Sequence, residues 1–324
     1  MNKSIKHGLI IGNGINCLSN KYDECSWASL LKYIENEYNI TYVSAQLGYP
    51  MLFECIINKI NQRDAESLWY EESDKAYSEV KRKVAEYLKK GITENISDSV
   101  AEIIRNMDID CIITTNYDPM IERIYNNDPT KIFNHYAKNT RYLFKHTSAY
   151  RKKGNSYVKM YHMHGIWDEI STMCLGYEHY SGIVSNLRSY ISKSSNNKEE
   201  DMKIIKHLKG EKTTPSLEDF FVTRFFDTNL SIIGLGLDDH EIDIWWILVF
   251  RAYLYYSNVN KAKDYITNKI TYYEIGEAKK DEKKYEKERR FLFENMHVKY
   301  ERVVVKDNYT EKYIEVLKTI NGTI

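Results

Sequence analysis

Short apolar runs that stop at a glycine or at polar residues recur along the chain, and each predicts a buried strand. These runs are Gly8–Ile11, Asp110–Thr115, Tyr157–His162, Leu230–Ile233, Thr271–Ile275 and Val298–Val305. Between them, apolar residues recur at helical spacing, as over Ser26–Tyr38, and Met51–Ala101 is charged and helical in pattern throughout. Strands that alternate with helices predict an α/β fold, a Rossmann-like parallel sheet with helices on both faces.

The same pattern predicts one domain over residues 1–324 with two additions to its core. The predicted boundaries are 1–45, 108–185 and 229–324 for the Rossmann-like core, 46–107 for a helical insertion, and 186–228 for a lid-like segment. The lid-like segment is polar and turn-rich around Ser192–Pro215. In it, Ser216 and Asp219 predict a capping box that opens a helix through Phe226.

Composition excludes several classes of protein. Lys and Arg total 46 and Asp and Glu total 46, so the net charge is zero and no direct nucleic-acid binding is expected. The five cysteines include no CxxC pair, which argues against a zinc ribbon, and we expect no metal. The first residues are not typical of a secretory signal, so we expect a reducing, cytoplasmic location. The most apolar stretch, Ile244–Tyr256, is too short to cross a bilayer and predicts a buried helix.

The segment Gly12-Asn13-Gly14-Ile15-Asn16 follows the first predicted strand. Glycines at this spacing let the backbone approach a phosphate, and the helix that follows offers free N–H groups. The third glycine of the dinucleotide fingerprint is absent, because Cys17 stands there. A tight turn without a ligand explains the segment equally well.

The segment Thr114-Thr115-Asn116-Tyr117-Asp118 follows the second predicted strand, so Asn116 and Asp118 would lie at the carboxyl edge of the sheet, where ligands bind. The Asn116 carboxamide both donates and accepts hydrogen bonds, so it can hold a ribose hydroxyl and a water together. Ordinary turn chemistry is the alternative, since Asn, Asp and Pro are common in turns.

The segment His162-Met163-His164-Gly165 ends the next strand. Alternation predicts that His162 and His164 lie on the same side of the strand, and either could take a proton near neutral pH. We favour His164 because Gly165 leaves room beside it. The alternative is a structural histidine.

The fourth segment, Gly234-Leu235-Gly236-Leu237-Asp238-Asp239-His240, again places small residues between a strand and an acidic helix start. An acid-capped helix explains the acidic residues without any ligand, so only Gly234 and Gly236 favour a bound nucleotide.

Taken in order, GNGIN, TTNYD, HG and GLGLDDHEI resemble the GAGxS loop, T-x-N-x-D segment, HG and glycine-rich strand end of the sirtuin-like domain. The chain from Cys174 to Tyr180 is similar to the bacterial branch whose members cleave NAD in anti-phage defence. The resemblance covers residues 8–240. Three features depart from the pattern: Asn16 stands where the family has Ser, the PDFR segment of the deacetylases is missing, and so is their four-cysteine zinc module.

This resemblance implies a NAD+ glycohydrolase that takes NAD+ as its substrate and releases nicotinamide and ADP-ribose, as an abortive-infection effector. Asn116 would orient the ribose or the attacking water, Asp118 would support it, and His164 would accept a proton. The cofactor-binding residues would be Gly12, Asn13, Gly14, Asn16, Thr115, Gly234, Gly236 and Asp239. Of these, Gly12, Gly14 and neighbouring backbone amides would bind the pyrophosphate, and Gly234, Gly236 and Asp239 would line the adenosine half.

Two other functions use the same features. One is NAD-dependent deacylation or ADP-ribosyl transfer, with a different acceptor in the same pocket. The other is a NAD or ADP-ribose sensor or scaffold subunit without catalysis. Because an unrestrained NAD hydrolase would kill its host, we expect a gate, supplied by a homo-oligomer or by a separate sensor or partner protein.

Overall fold

The structure is a computed structural model, and the part of the chain that it describes comprises residues 6–18, 26–40, 48–63, 73–91, 97–126, 131–134, 141–151, 157–192 and 202–323. The predicted lid-like segment therefore lies partly outside the described residues, as do parts of the predicted helical insertion.

The strands are β1 (Lys6–Ile11), β2 (Cys111–Thr114), β3 (Lys131–Asn134), β4 (Ser148–Arg151), β5 (Tyr157–His162), β6 (Thr228–Ile233), β7 (Ile270–Glu277) and β8 (Lys299–Val305). Among the described residues they form one eight-stranded sheet in the order β3-β4-β5-β2-β1-β6-β7-β8. The six strands from β5 to β8 in this order pair in parallel, while β3 and β4 pair antiparallel at one edge. The chain runs from β1 outward to β2 on one side and returns to β6 on the other, which makes the β1–β6 boundary a topological switch point.

The helices are α1 (Trp27–Glu37), α2 (Tyr49–Arg63), α3 (Ser73–Gly91), α4 (Asp98–Asn106), α5 (Met120–Asn126), α6 (Tyr177–Ile191), α7 (Lys203–Leu208), α8 (Phe221–Asp227), α9 (Ile242–Ser257), α10 (Glu282–Asn295) and α11 (Tyr309–Asn321). Short 3₁₀ segments cover Asn13–Leu18, Ile170–Thr172 and Val259–Asp264.

Alternation along the central strands divides the core into two halves. Ile10 and Ile113 belong to the half that is covered by α6, α8 and α9. Leu9 and Ile112 belong to the opposite half, which is covered by α4, α5 and α11. Because successive strand residues point to opposite faces, near-continuous apolar strands need helices on both sides. The predicted α/β fold, with a mostly parallel Rossmann-like sheet, is confirmed.

Helices α1, α2 and α3 pack with one another in a third apolar cluster beside the carboxyl edge of the sheet. This cluster also contains Tyr117, Met173 and Leu175, which follow β2 and β5. The described part of the predicted insertion is thus helical, and α4 joins the core of the sheet.

The described part of the predicted lid-like segment contributes α7 and α8 to the core, whereas residues 209–216 between them are mostly exposed. Ile204 and Ile205 of α7 are buried in the core, and α8 is buried along nearly its whole length. Residues 193–201 lie outside the described residues. The capping box predicted at Ser216 and Asp219 is wrong: α8 begins at Phe221, and the Asp219 carboxylate accepts a hydrogen bond from Lys159 instead.

The stretch predicted as a buried helix is helical in α9 but buried on one face only, since Val249, Tyr253 and Tyr256 are exposed. On its buried face, α9 accommodates Arg251 inside the core. The guanidinium donates to the backbone carbonyl oxygens of Asn268 and His297, which supplies partners for a charge that is otherwise costly to bury. In the described ranges, no helix combines the length and the apolar character that crossing a bilayer would require.

Candidate functional site

Four neighbouring strands end side by side, which brings the four predicted segments to one edge of the sheet. Ile11 at the end of β1 is in register with Thr114 of β2 and with Ile233 of β6. Thr114 is in turn in register with His162 of β5. The segments that follow these residues therefore leave the sheet at the same level, at the carboxyl edge where open α/β sheets bind ligands.

A cavity of about 470 Å³ lies over this edge. Its wall extends from His164, past the end of β5, to Glu274 and Gly276 in β7. Four inter-strand steps separate β5 from β7, which corresponds to about 19 Å. The volume is typical of a small-molecule site, and the elongated outline suits a ligand with two ends.

Most of the residues predicted from the sequence line this cavity: Asn13, Gly14, Asn16, Thr115, Asn116, Asp118, His164, Gly234 and Gly236. Gly12 lies beneath the wall, against the backbone of Gly234 and Leu235. Asp239 is exposed and lies outside the wall, whereas Asp238 and His240 on either side of it line the cavity. The predicted contact of Asp239 with the adenosine half of the ligand therefore has no support from the cavity wall, and it stays a prediction.

Gly12 and Gly14 allow the β1 and β6 loops to touch each other. A Cβ atom on Gly12 would lie 2.5 Å from the Gly234 carbonyl oxygen, and one on Gly14 would lie 2.6 Å from the Gly234 Cα. The Gly12 N–H donates to the Ile233 carbonyl oxygen at 3.1 Å and the Gly14 N–H to the Gly234 carbonyl oxygen at 2.7 Å. Both amides thus have backbone acceptors in this structure, and the binding of a pyrophosphate at Gly12 and Gly14 stays a prediction.

Asn116 is fixed to the end of β1. The Thr114 hydroxyl donates to the Ile11 carbonyl oxygen at 2.8 Å and accepts from the Asn116 N–H at 3.0 Å. The Asn116 side-chain amide lies 3.3 Å from the Gly12 carbonyl oxygen, which is a long hydrogen bond. Asn116 is 5% exposed and lies in the cavity wall. Its position is fixed by the backbone and by one weak contact of the side chain.

Asp118 has partners at both carboxylate oxygens. Oδ2 accepts from the Asn16 side-chain amide at 2.8 Å, and Oδ1 accepts from the Met120 N–H at the start of α5 at 2.9 Å. Burial raises the pKa of Asp118, and the two hydrogen bonds oppose that rise without cancelling it. Asp118 thus ties the β1 loop, through Asn16, to the beginning of α5.

His162 is completely buried behind Asn116. Its Nδ1 lies 2.9 Å from the Asn116 carbonyl oxygen, and its Nε2 lies 2.5 Å from Oε1 of the buried Glu122. Both neighbours are acceptors, so the ring fits best as an imidazolium that donates twice. Burial alone would lower the pKa of His162, but Glu122 and the Asn116 carbonyl raise it above its ordinary value.

His164 lies on the other side of the turn, in the cavity wall. Its Nε2 is 2.9 Å from Oδ2 of Asp243 and 4.0 Å from Oε2 of Glu241. Its Nδ1 is 3.5 Å from the Tyr180 hydroxyl. Burial lowers the pKa of His164, but Asp243 and then Glu241 raise it, and the pKa ends above the ordinary value.

Alternation predicted that the two histidines lie on the same side of one strand, and this prediction is wrong. Strand β5 ends at His162, and the turn after it carries His164 towards α9. The sequence analysis favoured His164 over His162 because Gly165 would leave room beside it. Gly165 instead has φ +96°, and a Cβ there would lie 2.2 Å from the Thr172 carbonyl oxygen. Glycine is required at this position by backbone geometry.

Asp243, Glu241 and Tyr180 are residues of the site that the sequence analysis missed. Glu241 precedes α9 and belongs to the GLGLDDHEI segment, which predicted only an acid-rich helix start. Asp243, in the first turn of α9, lies just beyond that segment. Tyr180 lies in α6, 16 residues after His164. Their distance from the HG segment along the chain left no signal of contact.

Among the described residues, His164, Glu241 and Asp243 have potential donor atoms within 4.8 Å of one another. The spacing alone would suit a cation, but the group lies at the positive end of the α9 helix dipole, which favours anions. Nε2 of His164 and Oδ2 of Asp243 already lie at hydrogen-bond distance from each other. The absence of a metal stays a prediction, and the hydrogen-bonded arrangement accounts for the observed distances.

A sequence profile of the SIR2-like domain matches residues 110–292 of this chain. The matched region contains the TTNYD, HG and GLGLDDHEI segments, and with them Asn116 and His164. A search of curated proteins found no matching relative. Enzymes of this family use NAD, which agrees with an elongated cavity at the switch point of the sheet.

Proposed function

The chain belongs to the SIR2-like domain family, and on that premise we propose that it is a NAD+ glycohydrolase. It would cleave the bond between nicotinamide and ribose and release nicotinamide and ADP-ribose. One observation carries the proposal: Asn116 and His164, which follow adjacent strands, line the same cavity.

Each residue has a role that its surroundings support. Nicotinamide leaves NAD+ as a neutral molecule, so the bond breaks without a strong acid, and the protein must stabilise the electron-poor ribose and deliver water. The Asn116 carboxamide can donate to one partner and accept from another, so it can orient a ribose hydroxyl and the attacking water. His164 is placed to accept the proton that the water or hydroxyl gives up.

The ligand would lie along the cavity with its nicotinamide end at His164 and its adenosine end near Glu274 and Gly276. Gly14, Gly234 and Gly236 in the middle of the wall let the ligand approach the backbone closely. Asn13, Asn16 and Thr115 supply polar side chains around the pyrophosphate.

The biological role that we propose is anti-phage defence by depletion of NAD in the cytoplasm. Since an unrestrained enzyme would consume the NAD of its host, we propose that self-association or a separate sensor protein gates it. The rate per molecule would then rise with protein concentration or with the partner. A rate that is maximal for the isolated, dilute protein would contradict the gate and leave the hydrolase in place.

Product analysis tests the proposed reaction. The purified protein is incubated with NAD over a range of protein concentrations, and nicotinamide and ADP-ribose are quantified by chromatography. Equal amounts of both products are expected. An acylated peptide in a parallel reaction separates the alternatives, because acyl-ADP-ribose or a modified protein would indicate deacylation or ADP-ribosyl transfer. Bound NAD without nicotinamide release would contradict the proposal and favour a sensor or scaffold.

A further inference from the structure

We propose that Asp243 is a positioning residue that holds the hydrogen of neutral His164 on Nε2, so that Nδ1 is the atom that accepts the proton. The proposal rests on the proposed hydrolase function and names the reacting nitrogen and the group that selects it. It follows from the contact between Nε2 and Oδ2 of Asp243 at 2.9 Å. A carboxylate only accepts hydrogen bonds, so the nitrogen that faces it must carry the hydrogen.

The position of Asp243 in the fold favours this contact. It is 0% exposed and lies in the first turn of α9, where the helix dipole stabilises a negative charge. Its other oxygen, Oδ1, has no hydrogen-bond partner among the described residues. A buried oxygen without a partner costs free energy. The hydrogen bond to His164 is therefore the contact that accounts for a carboxylate at this position.

The opposite side of the imidazole faces the site. Nδ1 lies 3.5 Å from the hydroxyl of Tyr180, at the outer limit of a hydrogen bond, and both His164 and Tyr180 line the cavity. A ligand hydroxyl or a water can take the place of this weak contact. Nε2 cannot serve in the same way, because the fully buried Asp243 covers it.

The other titratable groups around His164 and Asp243 do not take the role of either residue. Burial raises the pKa values of Tyr117 and Tyr180 well above the ordinary value and that of the Cys174 thiol to about 12, so all three stay neutral. Glu241 is the other charged neighbour, but its Oε2 is 4.0 Å from Nε2, beyond a hydrogen bond. Burial raises the pKa of Glu241 to about 7, so its charge varies near neutrality.

The proton step balances with these residues. Water attacks the anomeric carbon as the bond to nicotinamide breaks, and that electron pair leaves with neutral nicotinamide. The proton of the water passes to Nδ1 and gives an imidazolium whose Nε2–H faces the Asp243 carboxylate. The charge of Asp243 stabilises this imidazolium, as in other acid–histidine pairs. The proton then returns to solvent.

Nitrogen-15 NMR of the histidine-labelled protein tests the assignment without any substrate. The His164 signals are identified by their loss in His164→Gln, and spectra are followed over pH. At the deprotonated end we expect a protonated Nε2 and an unprotonated Nδ1. Asp243→Asn should admit the other tautomer and lower the titration midpoint, whereas Glu241→Gln should keep the wild-type tautomer. A wild-type ring with its hydrogen on Nδ1 would overturn the proposal, even if Asp243→Asn fails to fold. Stoichiometric zinc that is lost in Asp243→Asn would overturn it too.

Kinetics supply the second readout. In Asp243→Asn the turnover of NAD should fall by about 10²–10⁴-fold while NAD affinity changes little, because orientation of the base is lost and binding contacts remain. The acid limb of the pH profile should move to lower pH, since the carboxylate that raises the pKa of His164 is gone. An unmoved acid limb would contradict the positioning role. If the wild type releases no nicotinamide, the proposed function fails, and the tautomer measurement still judges the His164–Asp243 contact by itself.

Discussion

The imidazole of His162 supports the backbone of Asn116 from behind: its Nδ1 lies 2.9 Å from the Asn116 carbonyl oxygen. The other ring nitrogen, Nε2, is paired with the buried Glu122. His162 and His164 are two residues apart, yet one is part of the support beneath the site and the other is part of its wall. Two histidines of the same short segment thus take different places in the structure.

Glu122→Gln should destabilise the protein by about 3 kcal/mol, because it leaves a buried imidazolium without its counter-charge. The pKa of His162 is raised in the folded state, so its contribution to stability is complete below the unfolded pKa of about 6.5 and is lost as pH rises through the folded pKa. The difference in free energy of unfolding between wild type and variant should therefore shrink as pH increases. Urea denaturation at several pH values measures it, and a constant difference would contradict the ion pair.

Gly12→Ala should cost about 1–3 kcal/mol of stability, because the added Cβ would lie 2.5 Å from the Gly234 carbonyl oxygen and force the two loops apart. Gly236→Ala is the matched control. The nearest atom to its added Cβ is Oδ2 of Asp238 at 3.4 Å, an ordinary contact, so the change should stay within about 0.5 kcal/mol. Equal losses in both variants, measured by denaturant unfolding, would show that the loops are not in contact at Gly12.

Asn16→Ala should destabilise the protein by about 1–3 kcal/mol at neutral pH, because it removes the donor to Oδ2 of the buried Asp118. Burial already raises the pKa of Asp118, and the loss of Asn16 should raise it further. A raised pKa adds stability below the unfolded value of about 3.9 and loses it as pH rises. The cost of Asn16→Ala should therefore be larger at pH 7 than at pH 4. A double-mutant cycle with Asp118→Asn checks the coupling, and additive losses would rule out the contact.

The parts of the fold that follow from local pattern were accessible from the sequence. The predicted strands at Gly8–Ile11 and Leu230–Ile233 lie within β1 and β6. Short apolar runs that end in glycine are typical of buried strands. The two antiparallel strands at one end of the described sheet, β3 and β4, were missed. Each is four residues long, and their sequences, KIFN and SAYR, carry no extended apolar run.

The residues of the candidate site likewise divide into those that a local pattern predicts and those that it does not. The placement of Asn116 and His164 at one cavity was accessible from the sequence, because they follow predicted strands and parallel strands end at one edge. Asp243 was not found, because its role depends on a contact across 79 residues of chain. The capping box at Asp219 failed for a similar reason: a hydrogen bond from Lys159, on a distant strand, takes the carboxylate that a local pattern assigns to a helix N-terminus. Contacts between residues that are far apart along the chain determine the partners of Asp243 and Asp219, and such contacts leave no periodic pattern in the sequence.

The most direct measurement is the rate of nicotinamide release from NAD by the wild type, Asn116→Ala and His164→Ala, with NAD binding and folding verified for each protein. We expect both variants to fold and to bind NAD, and to release nicotinamide at least about 10²-fold more slowly than the wild type. Release at the wild-type rate by both variants would contradict the account, because the cavity that Asn116 and His164 share would then not be where the bond is broken.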